Sequence, residues 1–310
     1  MAFKEKNGEG REECGPPPGG FARVRPMHED APPRRAMKSV PVARIFAAEA
    51  EACGFGEERL VEAKAHYREL RDSIVACVKA EYPGVKASKI PEDELFGFVW
   101  GVFRSSAKPW YTTTALLCDI PNLSMFNCYS SSVLFANVLH RLGKPVRIVS
   151  LTNHVLLSGK EFAIETTAEK PEDAVFQRGA LGGKPNFRGV TEGGPEVLLG
   201  IAFDWCADVL CRKGKAEEAL AWFDRALEII PMCASVWNNK GHTLIKLERY
   251  AEAMECLDAA IQIDPLEATF WGNKWFLHTI LGDKKKALEC GNRSSELVEA
   301  SRRARQPGSE

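Results

Sequence analysis

No window of 18 consecutive apolar residues occurs in this 310-residue chain, so no segment reads as a transmembrane helix. The N-terminus also lacks the apolar stretch of a secretory signal, because Lys4, Glu5, Lys6 and Glu9 interrupt it at once. Net charge is nearly absent: 41 basic side chains face 42 acidic ones, a balance of -1. No global field therefore invites nucleic acid or an anionic membrane, and the expected compartment is the cytoplasm. Ten cysteines are present but no C-x-x-C pair, so zinc-site spacing is missing and a disulfide framework is not expected in a reducing cytosol. Most of these thiols read as small buried hydrophobes. What remains is an ordinary soluble composition, 45% apolar and 27% charged, with room for roughly two domains.

Residues 1–38 hold six Pro and five Gly among few aliphatics and are expected to form a disordered tail. Helical patterns follow from about Glu57 to Tyr82, ending at Pro83-Gly84, and from about Glu92 to Phe103. Cys128 to Leu142 reads as a buried helix, with Gly143 in the C-cap position and His140 as a cation favoured near a helix C-terminus. Three strands are expected after it: Pro145–Ser150, His154–Ser158 and Glu161–Thr166. Residues 179–195 contain six Gly and two Pro among 17, so 171–196 is expected to be a linker between two domains.

Beyond Glu196 the sequence repeats with a period of 34. Pro231 recurs as Pro265, Trp237 as Trp271, Asn239-Lys240 as Asn273-Lys274, and Ala219 as Ala253 and Ala287. This period and these residue types resemble the tetratricopeptide repeat, a stack of paired helices. Phe203 and Trp237 anchor first helices; Ala207 and Gly241 are small where paired helices approach; Phe223 and Leu257 fill the core. In the third unit Trp275 stands at a small-residue position and Gly291 and Ser294 replace the aromatic and Ala, as in a degenerate capping unit. The resemblance covers 197–301, leaving 302–310 as a second tail, and implies a protein-binding groove lined by Asp204, Asp208, Asn238 and His242. These are not the basic residues that clamp a C-terminal carboxylate. The array could instead merely stack on the rest of the protein.

The central segment carries Cys128, His154 and Glu165 in the order nucleophile, base, orienting acid. A thiol opening a buried helix sits where unpaired N–H groups and the helix dipole favour the thiolate. Gly159-Lys160 reads as a two-residue type II′ hairpin turn, which would pair Leu157 with Phe162, Val155 with Ile164 and His154 with Glu165. Directly opposed residues share a face about 4.5–5.5 Å apart at Cβ, so this register sets the acid beside the imidazole.

The run Asn-Cys128-Tyr-Ser-Ser-Ser-Val-Leu-Phe-Ala-Asn-Val-Leu-His-Arg-Leu-Gly-Lys-Pro, followed by His154-Val-Leu-Leu and Phe-Ala-Ile-Glu165, resembles the core of the transglutaminase-like superfamily. Glu165 stands where Asp is more usual. The resemblance covers about residues 95–170 and implies an α+β, papain-like domain over 39–170 using a cysteine acyl intermediate, with no metal or organic cofactor. The expected architecture is that domain followed by an all-α tetratricopeptide domain. Its expected function is thiol-dependent hydrolysis or acyl transfer on a peptide or protein amide. The alternative is a non-catalytic scaffold in which the array recruits a protein and the triad is a relic.

Overall fold

The computed structural model describes residues 39–106, 110–111, 117, 125–152, 154–179 and 191–305. Both expected tails lie mainly outside that range, although the last helix continues to Arg305, past the expected end of the repeats. Helices α1 (Val42–Cys53), α2 (Glu57–Glu81) and α3 (Glu92–Ser106) lead to two short strands, β1 (Trp110–Tyr111) and β2 (Met125–Phe126). Next come α4 (Cys128–Arg141), β3 (Arg147–Leu151), β4 (His154–Ser158), β5 (Phe162–Ile164), α5 (Pro171–Ala174), β6 (Val175–Gln177) and β7 (Thr191–Gly193). The remainder is three helical hairpins: α6 (Glu196–Arg212) with α7 (Ala216–Ile229), α8 (Ala234–Lys246) with α9 (Tyr250–Ile263), and α10 (Ala268–Ile280) with α11 (Lys284–Arg305). No helix among the described residues is long and apolar enough to cross a membrane.

Helix α4 is the central rod. Every residue from Cys128 to Ala136 is buried, so its three consecutive serines need partners inside the protein. Its start is fixed by a capping box, in which Asn127 Oδ1 accepts from the Ser130 amide at 2.9 Å and Ser130 Oγ accepts from the Asn127 amide at 3.1 Å. Its end is fixed by Gly143, whose φ of 78° is the left-handed conformation that a helix-stopping glycine supplies.

The five-stranded antiparallel sheet has the order β6-β5-β4-β3-β7. One face carries Ile148, Val155, Leu157 and Ile164 into the main core, and the other packs Val149, Leu151, Leu156 and Ala163 under Phe176. Segment 171–196, expected as a linker, supplies both edge strands of this sheet, while 180–190 lie outside the described residues. Three-residue strands within a Gly- and Pro-rich stretch are too short to show a periodicity.

The β4–β5 register also differs from expectation. Leu157 faces Ile164 and Ser158 faces Ala163, two residues away from the expected pairing. The turn residues are Lys160-Glu161, closed by Gly159 N–H donating to the Phe162 carbonyl at 2.8 Å. Gly159 is not in the left-handed region that a type II′ turn demands. A residue far away in sequence sets the turn. The Glu92 carboxylate, on the first turn of α3, accepts from the amides of Lys160, Glu161 and Phe162 at 3.0, 2.9 and 3.2 Å. A Cβ on residue 159 would fall 2.4 Å from a Glu92 oxygen, so glycine is needed for close approach rather than for φ.

The repeat is visible as recurring hydrogen bonds. Trp237 Nε1 donates to the Pro231 carbonyl at 2.8 Å and Trp271 Nε1 to Pro265 at 2.9 Å. Lys240 pairs with Asp224 and Lys274 with Asp258, and Asn239 and Asn273 each donate to the preceding unit, to Asp204 and Asn238. The third unit reverses sizes rather than losing them. In the second, a Cβ on Gly241 would meet Leu257 at 3.0 Å; in the third, Trp275 lies over Gly291. Its exposed side chains include Trp275, Phe276, Ile280, Leu281 and Leu288, so this unit does not present the polar surface of a solvent cap.

Residues 37–310 form one compact unit. Helix α6 contributes Val197, Leu198, Leu199, Ile201 and Phe203 to the same core as Ile45, Phe46 and Val133. Lys213 Nζ donates to the carbonyls of Ala52 and Cys53 at the end of α1, and Thr152 Oγ1 to Asp264 Oδ2 at 2.9 Å.

Candidate active site

Cys128 occupies the first position of α4, within hydrogen-bonding reach of His154, which opens β4. The far side of the imidazole is taken by Glu165: His154 Nε2 is bonded to Glu165 Oε2. Nδ1 is therefore the nitrogen left for the thiol. Although the register differs from expectation, the contact survives because the shift is even. Extending the observed pairing puts Leu156 opposite Glu165, with His154 diagonal to it on the same face.

Glu165 is held in turn. Its other oxygen accepts from the amide and hydroxyl of Thr167 at 3.0 and 2.6 Å, and its own amide donates to the Ala174 carbonyl at 2.7 Å. Burial alone would push the Glu165 carboxyl up, but the bonds from His154 and Thr167 outweigh it and hold the acid below the usual carboxylate range. Burial would likewise depress His154. Hydrogen bonds and charge from Cys128 and Glu165 prevail, and its pKa is raised to about 10.

The serines that look anomalous inside α4 join the start of that helix to Thr166. Ser131 Oγ donates to the Asn127 carbonyl at 2.6 Å and lies 2.7 Å from Thr166 Oγ1; Ser132 lies 3.4 Å from the same hydroxyl. Thr166, fully buried, adjoins Glu165. Another buried acid, Glu49 of α1, accepts from the Leu117 amide at 3.0 Å and from the hydroxyl of Tyr129, the residue after Cys128, at 3.3 Å. These links were invisible in sequence. A Ser-Ser-Ser run and a lone Glu in an unrecognised helix carry no signal of their partners.

Cys128 and His154 open into a cleft of ≈ 340 Å³. Three of the four expected groove residues, Asp204, Asp208 and Asn238, line this same cleft; His242 does not. Trp205 of α6, another lining residue, stacks on Tyr129 with ring centroids 6.4 Å apart. Asp204 accepts from Asn239 Nδ2 at 3.2 Å, yet burial, with Asp208 adding to it, pushes its carboxyl up to about 7. His242 is pushed down by burial and by Lys246, and its Nδ1 has no partner.

The hairpin α8–α9 decides one comparison. Residues 234–265 match the tetratricopeptide repeat family model. The tetratricopeptide match spans one unit; α10–α11 repeats its Trp–Pro, Lys–Asp and Asn contacts, and α6–α7 supplies the acceptors Asp204 and Asp224. A comparison with curated proteins returns no match.

Proposed function

We propose that the protein is a cysteine-dependent amide hydrolase or acyl transferase acting on a peptide or protein, with the tetratricopeptide-type array as its protein-binding element. One observation carries this reading: a thiol at a helix start and an imidazole beside it, both lining one cleft, with a carboxylate on the far imidazole nitrogen. In that reading, transfer of the Cys128 proton to His154 Nδ1 frees the thiolate to attack the amide carbon. His154 then returns the proton to the leaving amine, and water or a second amine releases the acyl group. Glu165 keeps the proton-bearing Nε2 directed away from the thiol and stabilises the imidazolium. Amides at the start of α4 are the donors nearest a developing oxyanion. The transglutaminase-like fold implied by the sequence belongs to the same reading.

A mixed peptide-amide library incubated with wild type and with Cys128→Ala tests it. Released ammonia, new N-termini or new amide cross-links that disappear in the variant support the assignment. Identical product profiles from the two proteins would leave the scaffold reading, to which the repeat match alone lends support.

A further inference from the structure

The first helices of the three hairpins present one stripe of side chains along the face that continues from the cleft. Four-residue steps place Asp204, Asp208 and Arg212 on α6, and the 34-residue period carries these to Asn238, His242 and Lys246 on α8. On α10 the same positions are Gly272, Phe276 and Ile280. The stripe is charged or polar beside Cys128 and becomes apolar at its far end, where Phe276 is 44% exposed and Ile280 42%. Gly272 adds an independent observation. It lies inside a helix, where glycine is less stable than alanine by roughly 0.5–1 kcal/mol. Yet a Cβ there would make only an ordinary 3.6 Å contact with Ser294 Oγ. Packing does not require this glycine, and its effect is to leave a notch beside two exposed apolar side chains.

We propose that the polypeptide whose amide reacts at Cys128 continues along this face and seats an apolar side chain on Gly272, Phe276 and Ile280. This rests on the thiol-enzyme reading and deepens it, because the array then grips the substrate itself rather than a separate partner. One fact favours the substrate as occupant: the stripe begins at residues that line the Cys128 cleft. Neighbouring helices lie about 10 Å apart, so the notch is about 20 Å along the array. An extended chain rises about 3.3 Å per residue, which sets the apolar side chain about six residues from the reacting amide.

The test needs no natural substrate. Serine-glycine peptides carry a chloroacetyl group at the N-terminus in one series and on a C-terminal lysine in the other, with a single leucine placed two to twelve residues away. Cys128 displaces chloride, forming a carbon–sulfur bond as the carbon–chlorine bond breaks, and mass spectrometry reads the rate. One series should peak near a six-residue spacing, on the order of tenfold above the leucine-free peptide. The peak should vanish in Phe276→Ser/Ile280→Ser and in Gly272→Leu, while iodoacetamide labels Cys128 at an unchanged rate. No dependence on spacing, or a peak that persists in both variants, overturns the proposal. The thiol-enzyme reading fails separately, if iodoacetamide labels Cys128 no faster than the exposed Cys77.

Discussion

Replacing Glu165 by Gln removes the charge and keeps the shape, and the structure dictates which way the new amide must turn. One Glu165 oxygen accepts two hydrogen bonds from Thr167, one of them from a backbone N–H that can only donate. The Gln oxygen must therefore stay on Thr167, and its NH₂ group faces His154 Nε2. Two donors cannot face each other, so the imidazole shifts its proton to Nδ1 and can no longer accept one from the thiol. A hydrogen bond to a charged group is worth about 1.5–3 kcal/mol, which at 1.36 kcal/mol per decade is a factor of roughly 10–150. Iodoacetamide labelling of Cys128 at pH 6.5 should slow by that factor. Wild type should keep its reactivity through neutral and mildly alkaline pH, because the imidazolium formed when His154 takes the Cys128 proton persists to about pH 10. Glu161→Gln is the control, since Glu161 is exposed at the hairpin turn and only its backbone contacts Glu92. Equal labelling of Glu165→Gln and wild type would refute the tautomer argument, as would equal damage from the two substitutions.

Thr166→Val leaves two buried serine hydroxyls without their shared partner and should lower stability in urea by about 1–3 kcal/mol, with slower Cys128 labelling; an unchanged urea midpoint would contradict the link. Asp204→Asn tests the raised acid. A pKa lifted from the usual 3.8 to about 7 on folding makes wild type lose stability as pH rises through that window, so the variant should be the more stable at pH 8 and no better at pH 4, by chemical denaturation at both. Gly291→Leu alone should clash with Trp275 and destabilise by about 1–3 kcal/mol, whereas Trp275→Gly/Gly291→Leu, which restores the pattern of the second unit, should fall well short of the sum; strict additivity would deny the pairing. Deleting 196–310 strips six large apolar side chains of α6 (Val197, Leu198, Leu199, Ile201, Phe203 and Leu210) from the core, about 1.5–3 kcal/mol each, and should abolish soluble folded protein by circular dichroism.

Elements written as long periodic runs were legible before any coordinates. Helix α2 and α4 fall within a residue of expectation, because Gly56, Pro83, Asn127 and Gly143 punctuate them. The three hairpins follow from the 34-residue spacing, and the hydrogen bonds of Trp237, Asn239 and Lys240 explain why those residue types recur. Helix α1 was missed, since it follows the Pro-rich stretch directly and has Pro41 as its N-cap. The hairpin turn was misread because the decisive group, Glu92, is 68 residues from Lys160. Local turn chemistry could not reveal it. The His154–Glu165 contact was legible even so, since an error of two residues leaves every side chain on its own face. That three of the four expected groove residues meet Cys128 in one cleft could not be read from the sequence, because it depends on how α6 packs.

The placement of α6 bears on how the chain is made. During synthesis α1 emerges early, but its partners on α6 and the Lys213 side chain that binds the end of α1 are about 150 residues behind it. At 5–20 residues per second the first helix waits on the order of ten seconds before its core can close. Until then Phe46 has the Tyr67 ring of α2 beside it, but the side of α1 that meets α6 has no cover. The second and third hairpins pack chiefly on neighbours close in sequence and can form as they leave the ribosome. The nascent protein thus leaves the α6-facing side of α1 open for that interval, and any holding by a chaperone should end when the helix that lines the Cys128 cleft emerges.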